Sequence, residues 1–162
     1  MSSAPTIRRA RESDHALLIG RVNEWWGDRD MAPLLPRLFF QHFRDTGLVA
    51  ESGSDLVGFV IGFVSQAEPG VAYIHFVGVD PGHRGGGLGA ELYERFFALA
   101  IERGCTEVRC VTSPVNTGSI AFHRRMGFTT DPGDAESGGT PYLTDYDGPG
   151  EHRVRFRRQL TR

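Results

Sequence analysis

Cysteine is scarce in this chain, which has two cysteines among 162 residues, Cys105 and Cys110. The two lie five positions apart along an apparent strand, and side chains alternate between the faces of a strand, so they point in opposite directions. We therefore expect neither a disulfide nor a pair of metal ligands, and we predict a function without a metal.

Long apolar runs and an excess of one charge are lacking as well. No stretch approaches the roughly 20 apolar residues of a membrane span, and no apolar run follows the basic residues near the N-terminus, as in a signal peptide. The formal net charge is -2, whereas binding to nucleic acid or an anionic membrane usually shows as a clustered basic excess. We predict a cytoplasmic protein that binds neither nucleic acid nor membrane.

The composition that remains is typical of one soluble domain. Hydrophobic residues make up 40% and charged residues 23% of the chain, close to the average for globular proteins. A chain of 162 residues can bury a sizeable core without disulfides or a structural metal. We predict a single domain over residues 1–162.

The hydrophobic pattern predicts an α/β fold in which helices cover a mixed sheet. Helix-capping, glycine and proline signals set the expected boundaries. The predicted elements are a strand over residues 6–9, a helix capped by Ser13 and ended by Gly27, a helix after Pro33 and Pro36 that ends at residues 45–47, strands over residues 48–51, 56–64 and 71–79, a helix over residues 90–103, a strand over residues 106–112, a helix over residues 119–126 and a C-terminal edge strand over residues 152–160.

Residues 131–151 form an unusual acidic segment. It carries five glycines, three prolines and six acidic residues, and no lysine, arginine or histidine. Segments of this length without predicted secondary structure are either functional or mobile loops, and the sequence leaves both readings open.

A glycine cluster between an apolar strand and an amphipathic helix indicates an anion site. Glycine allows positive φ angles and a close approach of backbone N–H groups to a ligand, and the following helix adds its free N–H groups and its dipole. The expected ligand is a phosphate or pyrophosphate. The P-loop ending Gly-Lys-Ser/Thr is absent, and a dinucleotide fingerprint would need an earlier strand and a downstream ribose acid.

Two motifs resemble those of the GNAT N-acetyltransferases. Arg84-Gly85-Gly86-Gly87-Leu88-Gly89-Ala90 is similar to the acetyl-CoA motif Q/R-x-x-G-x-G/A, and residues 116–128 are similar to the segment Asn-x-x-Ala-x-x-Phe-Tyr-x-x-x-Gly-Phe. The resemblance covers about residues 71–128. It implies a mixed, mostly antiparallel twisted sheet with helices on both faces, acetyl-CoA as the acyl donor, and acetyl transfer to an amine.

The same resemblance implies which residues contact acetyl-CoA. The backbone of residues 77–79 would hold the pantetheine arm, and residues 85–90 would hold the pyrophosphate. Arg84 would add charge near the pyrophosphate, or is a plain surface charge. The N–H of Val77 would meet the thioester oxyanion. The full set is Phe76, Val77, Gly78, Val79, Arg84, Gly85, Gly86, Gly87, Leu88, Gly89, Ala90, Asn116, Ser119, Phe122 and His123.

Three side chains are candidates for proton transfer. His123 stands where many relatives have the tyrosine that protonates the thiolate, so it is either that acid or a histidine on the helix surface. His75 and Tyr73 lie two apart on one face of the central strand, similar to the His-x-His strand of arylalkylamine acetyltransferases. His75 is a candidate base or a hydrogen-bonded core histidine, and Tyr73 suits a base less because its ordinary pKa is about 10.

Acidic and aromatic residues in two segments predict a cationic amine as the acceptor, because carboxylates and tryptophan faces attract ammonium groups. The candidates are Glu24, Trp25, Trp26, Asp28 and Asp30 in the first helices, and Asp145, Tyr146 and Asp147 in the acidic segment. Trp25 is alternatively a core residue, and the acidic segment alternatively only a solvated one.

The overall prediction is direct acetyl transfer to a small-molecule amine in a ternary complex of enzyme, donor and acceptor. Two alternatives remain open: a non-catalytic acyl-CoA-binding sensor, and an N-acetyltransferase that acts on peptides or proteins. Edge strands also leave a homodimer open.

Overall fold

The computed structural model describes residues 3–161. Its elements are β1 Thr6–Arg9, α1 Asp14–Ile19, α2 Val22–Trp25, α3 Leu38–Gln41, β2 Leu48–Ser52, β3 Asp55–Val64, β4 Val71–Val79, α4 Leu88–Glu102, β5 Glu107–Thr112, α5 Thr117–Arg125, β6 Thr129–Thr130, β7 Ala135–Ser137, β8 Thr140–Tyr142 and β9 Val154–Gln159, with 3-10 turns at Ala32–Leu34, Arg44–Thr46 and Pro81–His83.

Within the described range, seven strands form one sheet in the order β1-β2-β3-β4-β5-β9-β6. Neighbouring strands are antiparallel except for β4 and β5, which are parallel. The expected mixed, mostly antiparallel sheet is therefore confirmed. The expected edge position of the C-terminal strand is wrong, because β6 pairs with the outer side of β9 at Arg157 and Phe156.

Each face of the sheet carries its own hydrophobic core. On one face, α4 and α5 contribute Tyr93, Phe96 and Ile120 to the larger cluster. On the other face, α1, α2 and α3 pack Leu18, Trp25 and Phe40 against β2 and β3, and this cluster is kept separate from the first. Because burial of one such side chain contributes about 1.5–3 kcal/mol, both helical layers are held mainly by packing.

The helices before the sheet are shorter than the sequence predicts. The first predicted helix is divided into α1 and α2 at Gly20 and Arg21, and the second is reduced to a turn and the four-residue α3. Gly20 weakens helical continuity, and Pro33 removes a backbone donor inside the second stretch. As a result Leu17, which the helical pattern assigns to the apolar face, is 59% exposed.

The acidic segment contains regular secondary structure. Its β7–β8 hairpin is followed by a bridge between Leu143 and Arg153, and the backbone N–H of Asp147 donates to Glu151 O. Both cysteines are free and buried. No helix in residues 3–161 has the length and apolar character needed to cross a membrane.

Candidate active site

A gap opens in the middle of the sheet, between the two parallel strands. β4 and β5 are paired only at Val71–Glu107, Ala72–Val108 and Tyr73–Arg109. Beyond this point β5 continues beside β9, while β4 continues beside β3. We call the space between the diverging strands the β4–β5 gap.

Backbone groups of β4 face this gap. The N–H of Asp80 donates to Val57 O on β3 at 2.9 Å, and hydrogen-bonding groups alternate sides along an antiparallel strand. Val77 and Val79 therefore turn their N–H and C=O groups away from β3, toward the gap. This is the orientation that the resemblance requires of residues that hold a pantetheine arm and an oxyanion.

A β-bulge sets which side chains of β4 flank the gap. The register with β3 shifts between Ile61 and Gly62, so that His75 is the extra residue of β4. His75 stacks on Phe39 and Phe76 contacts Trp26, which puts two consecutive side chains on the α1–α3 face. Bulges re-aim side chains in this way and are common beside active sites.

The glycine loop, residues 80–87, leads from the end of β4 into α4. Gly85 and Gly87 have φ values of 85° and 83°, a region that L side chains rarely adopt. A Cβ added at Gly85, Gly86 or Gly87 would meet no atom within 4 Å, so the loop backbone is open to a ligand. The first N–H groups of α4 have no partner within the helix, so the cradle fits a pyrophosphate.

Three of the elements assigned to acetyl-CoA meet where α4 begins. A Cβ at Gly89 would lie 3.7 Å from the Phe122 ring and 3.8 Å from Val79 Cγ2. Leu88 packs into the core beside them. The start of α4, the end of β4 and the middle of α5 therefore lie together at one end of the β4–β5 gap.

Asn116 and Ser119 lie at the first turn of α5. The side-chain oxygen of Asn116 accepts the N–H of Ser119 at 3.2 Å and caps the helix, a common stabilising role for asparagine. The contact of Asn116 and Ser119 with acetyl-CoA stays a prediction.

His123 lies in the core and not on the surface of α5. It is 4% exposed, and its ring stacks on Phe156 with centroids 4.7 Å apart. Nδ1 lies 2.7 Å from Ser119 O, so Nδ1 carries the proton, because a carbonyl oxygen only accepts. Nε2 then accepts the hydroxyl of Tyr93 at 2.8 Å. The reading of His123 as a helix-surface residue is wrong.

This geometry does not favour His123 as the thiolate acid. Both ring nitrogens are engaged inside the protein, and burial lowers the pKa of His123 below 6.5, opposed in part by Ser119 O. The neutral tautomer is therefore the stable form, and its only proton is given to a helix carbonyl. A catalytic role for His123 stays a prediction that would require these bonds to break.

His75 has the properties of a base in its neutral form. Nε2 lies 2.9 Å from Leu34 O, so Nε2 carries the proton and Nδ1 keeps its lone pair. The ring stacks on Phe39, with centroids 4.5 Å apart. Burial lowers the pKa of His75 below 6.5, and the bond to Leu34 O opposes this effect.

Tyr73 shares the α1–α3 face with His75, as the sequence predicts, and stacks on Phe63. Burial raises the pKa of Tyr73, and Cys110, Tyr146 and Asp147 add smaller rises. The phenol therefore stays protonated and can act as a donor.

The two tryptophans of the α2 segment, which we define as residues 21–30, have different surroundings. Trp25 is 3% exposed and stacks on Phe59. It is therefore a core residue, which is the alternative that the sequence left open. Its Nε1 is buried without a hydrogen-bond partner in the described residues. Trp26 lies over β4, where its Cη2 would be 2.9 Å from a Cβ on Gly78.

The predicted acceptor carboxylates fall into two groups. Among the described residues, Glu24, Asp28 and Asp30 form no ion pair. Asp145 instead lies 3.6 Å from His152 Nδ1 and accepts the N–H of Gly150. The α2 segment therefore holds the carboxylates that remain available to a cation.

The other residues of the acidic segment differ in their availability. Asp147 is paired with Arg153 at 2.8 Å, whereas the Tyr146 side chain is exposed. Contact of either residue with an acceptor stays a prediction.

The sequence reasoning missed residues that organise the site without being part of a motif. Arg21 bonds Asp80 at 3.2 Å and so ties α2 to the glycine loop. Asn23 accepts the N–H groups of Met31 and Ala32 through Oδ1 and shapes the turn after α2. Asp80 followed by Pro81 and Gly82 is a turn signal that could have identified one of these residues.

A split mixed sheet with a glycine loop leading into a helix at one end of the split defines an acyl-CoA-dependent transferase fold. The sequence profile of the acetyltransferase (GNAT) family matches residues 10–128. The match covers most of the chain, and the chain belongs to this family.

Several relatives of this chain have diaminobutyric acid in their names. The chain is 34% identical over 85 residues to the L-2,4-diaminobutyric acid acetyltransferase of Nocardia farcinica, a match that covers 52% of this chain and 44% of that one. The diaminobutyrate acetyltransferase of Paenibacillus lautus, solved with L-2,4-diaminobutyric acid and coenzyme A, has a TM-score of 0.75 and 18% identity, and the match covers 100% of this chain and 98% of that one. At this identity the likeness shows the fold.

A third relative is nourseothricin acetyltransferase. Its structure matches with a TM-score of 0.60 and 29% identity over 71% of this chain and 65% of that one. The first relative is matched over less than half of its own length, so the family is shared but its acceptor does not transfer to this chain.

Proposed function

We propose that this protein transfers the acetyl group of acetyl-CoA directly to the primary amine of a small cationic molecule. The observation that carries the proposal is the β4–β5 gap, with the glycine loop at one end and Trp26 of the α2 segment packed on Phe76 of β4. Donor and acceptor could approach the same stretch of β4 from different directions, as direct transfer requires.

The donor side rests on backbone groups. The open glycine loop and the start of α4 would bind the pyrophosphate through N–H groups and the helix dipole. Val77 and the N–H of Val79 would pair with the pantetheine arm through the groups that face the gap, while the carbonyl of Val79 accepts a hydrogen bond from Arg84 Nε at 3.0 Å. The N–H of Val77 would meet the negative charge that forms on the thioester oxygen during attack.

The proton transfers are assigned to the α1–α3 face of β4. An amine must be neutral to attack, so Nδ1 of His75 would accept its proton directly or through water. The nitrogen then bonds to the acetyl carbon, the carbon–sulfur bond breaks, and the thiolate takes a proton. Tyr73, which shares this face with His75 and carries a proton, is our candidate for that donor, and the proton taken up by His75 then restores the Tyr73 hydroxyl directly or through water.

The acceptor class rests on charge. Glu24, Asp28 and Asp30 lie within four residues of Trp26 in the chain, and free carboxylates favour a cationic ligand through their shared potential. Asp28 adopts a φ of 64°, and strained residues of this kind cluster at ligand-binding sites. The names of relatives, which include a diamino acid acetyltransferase, agree with an amine acceptor of this kind.

The test is release of free thiol from acetyl-CoA in the presence of diamino acids, polyamines, aminoglycosides, arylalkylamines and short peptides. Wild type is compared with His75→Gln and Tyr73→Phe, and acetyl-CoA affinity is measured separately. Acceptor-dependent release that both variants lose, without loss of acetyl-CoA binding, is the expected result. Binding of acetyl-CoA with no release for any acceptor would support the sensor alternative, and release only with peptides would support the peptide alternative.

A further inference from the structure

The side chain of Arg84 turns away from the glycines that follow it. Nη2 donates to Trp25 O at 2.5 Å, and Nε donates to Val79 O at 3.0 Å. Its Cζ lies 5.7 Å from the centre of the Trp26 ring, within the range of a cation–π interaction. Arg84 thus connects the end of β4 with the end of α2, and it does so from the first position before the glycine cluster.

The bond to Trp25 O supports α2 itself. A helix of four residues cannot satisfy its last carbonyl groups internally, and a cation near a helix C-terminus is favoured by the dipole. Among the hydrogen bonds of the described residues, Arg84 is the donor to Trp25 O. Withdrawal of the guanidinium would therefore remove both a backbone bond and the cation above Trp26.

A second arginine fastens the other end of α2 to the same loop. Arg21 Nη2 lies 3.2 Å from Asp80 Oδ2, while Asp80 Oδ1 accepts the N–H of Gly82. The guanidinium of Arg21 also lies 5.7 Å from the centre of the Trp25 ring. The α2 segment is thus bonded to the glycine loop near both ends of α2.

Trp26 extends this connection to the acyl end of the site. Its ring lies 5.1 Å from that of Phe76, between centroids, and over the backbone of Gly78. The next residues along the chain are those with unpaired carboxylates. A small movement of α2 would therefore change both the wall over β4 and the position of Asp28.

We infer that Arg84 is a positioning residue that couples the glycine loop to Trp26 and thereby to acceptor binding, and that it is not a phosphate ligand. The inference rests on the proposed function and assigns Arg84 to the acceptor side of the reaction. The pyrophosphate would then be bound by the N–H groups of the glycine loop and of the start of α4. Such groups are sufficient for anion binding in other proteins.

Tryptophan fluorescence gives a readout that does not depend on turnover. The chain has two tryptophans, Trp25 and Trp26, so the emission reports on the α2 segment. Coenzyme A is titrated into wild type, Arg84→Gln and Arg95→Gln, with affinity measured by calorimetry and emission recorded in parallel. Arg95 is the matched control, because it is an exposed arginine on α4 whose only ion pair in the described residues is with Glu91.

Wild type and Arg95→Gln are expected to change their emission as coenzyme A binds. The Kd obtained from the emission should equal the Kd obtained by calorimetry. Arg84→Gln should bind coenzyme A within about threefold of wild type but lose most of the emission change. Its KM for the acceptor should rise about three- to tenfold, the range expected for loss of a typical hydrogen bond, with a smaller change in kcat. Arg84→Lys, which keeps the charge and one bond, should be intermediate.

Other outcomes would overturn the inference. A tenfold weaker affinity of Arg84→Gln for coenzyme A, with the emission change retained at saturation, would make Arg84 a phosphate ligand. Binding to wild type without an emission change would remove the coupling but leave the proposed function intact. Absence of coenzyme A binding to wild type would contradict both the coupling and the proposed function. If Arg84→Gln does not fold, Asp80→Asn breaks the second tie and should also reduce the emission change.

Discussion

The hydrogen bond between Tyr93 and His123 allows a test of whether His123 is structural or catalytic. Tyr93 is 1% exposed, and its hydroxyl donates to Nε2 of His123. Tyr93→Phe leaves Nε2 buried without a partner, at a cost of about 1–3 kcal/mol. For a domain of this size, this corresponds to a decrease in Tm of about 2–12 °C.

The double variant separates the pair from its surroundings. His123→Phe alone strands the Tyr93 hydroxyl and should cost a similar free energy of unfolding. Tyr93→Phe combined with His123→Phe replaces both partners by apolar rings, which can be almost neutral. If the double variant is almost neutral, the coupling free energy equals the sum of the two single costs, about 2–6 kcal/mol in magnitude, measured by urea unfolding at pH 7.5.

The same variants test how burial of His123 affects the pH dependence of the free energy of unfolding. The pKa of His123 is lowered in the folded protein, so the unfolded chain binds more protons as the pH falls below 6.5. Wild type should lose stability in that window, and His123→Phe should lose less. The residual slope is expected from His75, whose pKa is lowered by the same cause.

Turnover by the double variant decides between the two roles. If His123 is a core residue, the folded double variant keeps a kcat within about tenfold of wild type. If His123 protonates the thiolate, kcat falls by about 100-fold or more while coenzyme A still binds. Additive effects of the two single changes on unfolding would refute the hydrogen-bonded pair.

Three further predictions follow from the site. His75→Gln should lower kcat by about 100-fold or more at unchanged acetyl-CoA affinity, and the wild-type rate should fall only below pH 6.5, because burial lowers the pKa of His75; a limb above 6.5 would contradict this base. Gly78→Ala should cost about 1–3 kcal/mol of stability, because the new Cβ would lie 2.5 Å from the Phe59 ring, and it should weaken acceptor binding, because the same Cβ would lie 2.9 Å from Trp26; Gly58→Ala, with its nearest contacts at 3.3 Å, is the milder control. Asp28→Asn should raise the KM of cationic acceptors severalfold with little change in Tm, since asparagine tolerates the same positive φ; an unchanged KM for every such acceptor would exclude Asp28 from the site.

The sequence predicts the sheet better than the helices that precede it. β1 and β4 begin and end at the expected residues, and β4 carries the clearer signal because it is a nine-residue, mostly apolar strand. The helices α1–α3 are fragments of longer predicted ones, since their apolar residues repeat at helical spacing although the backbone is interrupted at Gly20. The spacing of apolar residues along the chain does not predict where the helical backbone is interrupted.

Side-chain contacts across the fold were the least predictable part of the site. The motif places His123 on α5, but nothing in it identifies Tyr93, which lies 30 positions away, as its partner. The same holds for Arg84, whose acceptor at Trp25 lies 59 positions away. The bulge at His75 did leave a signal, because Gly62 opposite it interrupts an apolar strand, and a glycine in a strand often marks a bulge or a close approach.

The divergence of β4 from β5 also has a consequence for the lifetime of the protein. The sheet is joined in its middle by three residue pairs, and a pantetheine arm bonded to Val77 and Val79 would act as the strand that is missing beyond them. At a concentration of 100 times its Kd, such a ligand stabilises the fold by about 2.7 kcal/mol. Proteases attack transiently opened chains, so acetyl-CoA supply would govern how quickly the protein is degraded as well as how fast it works.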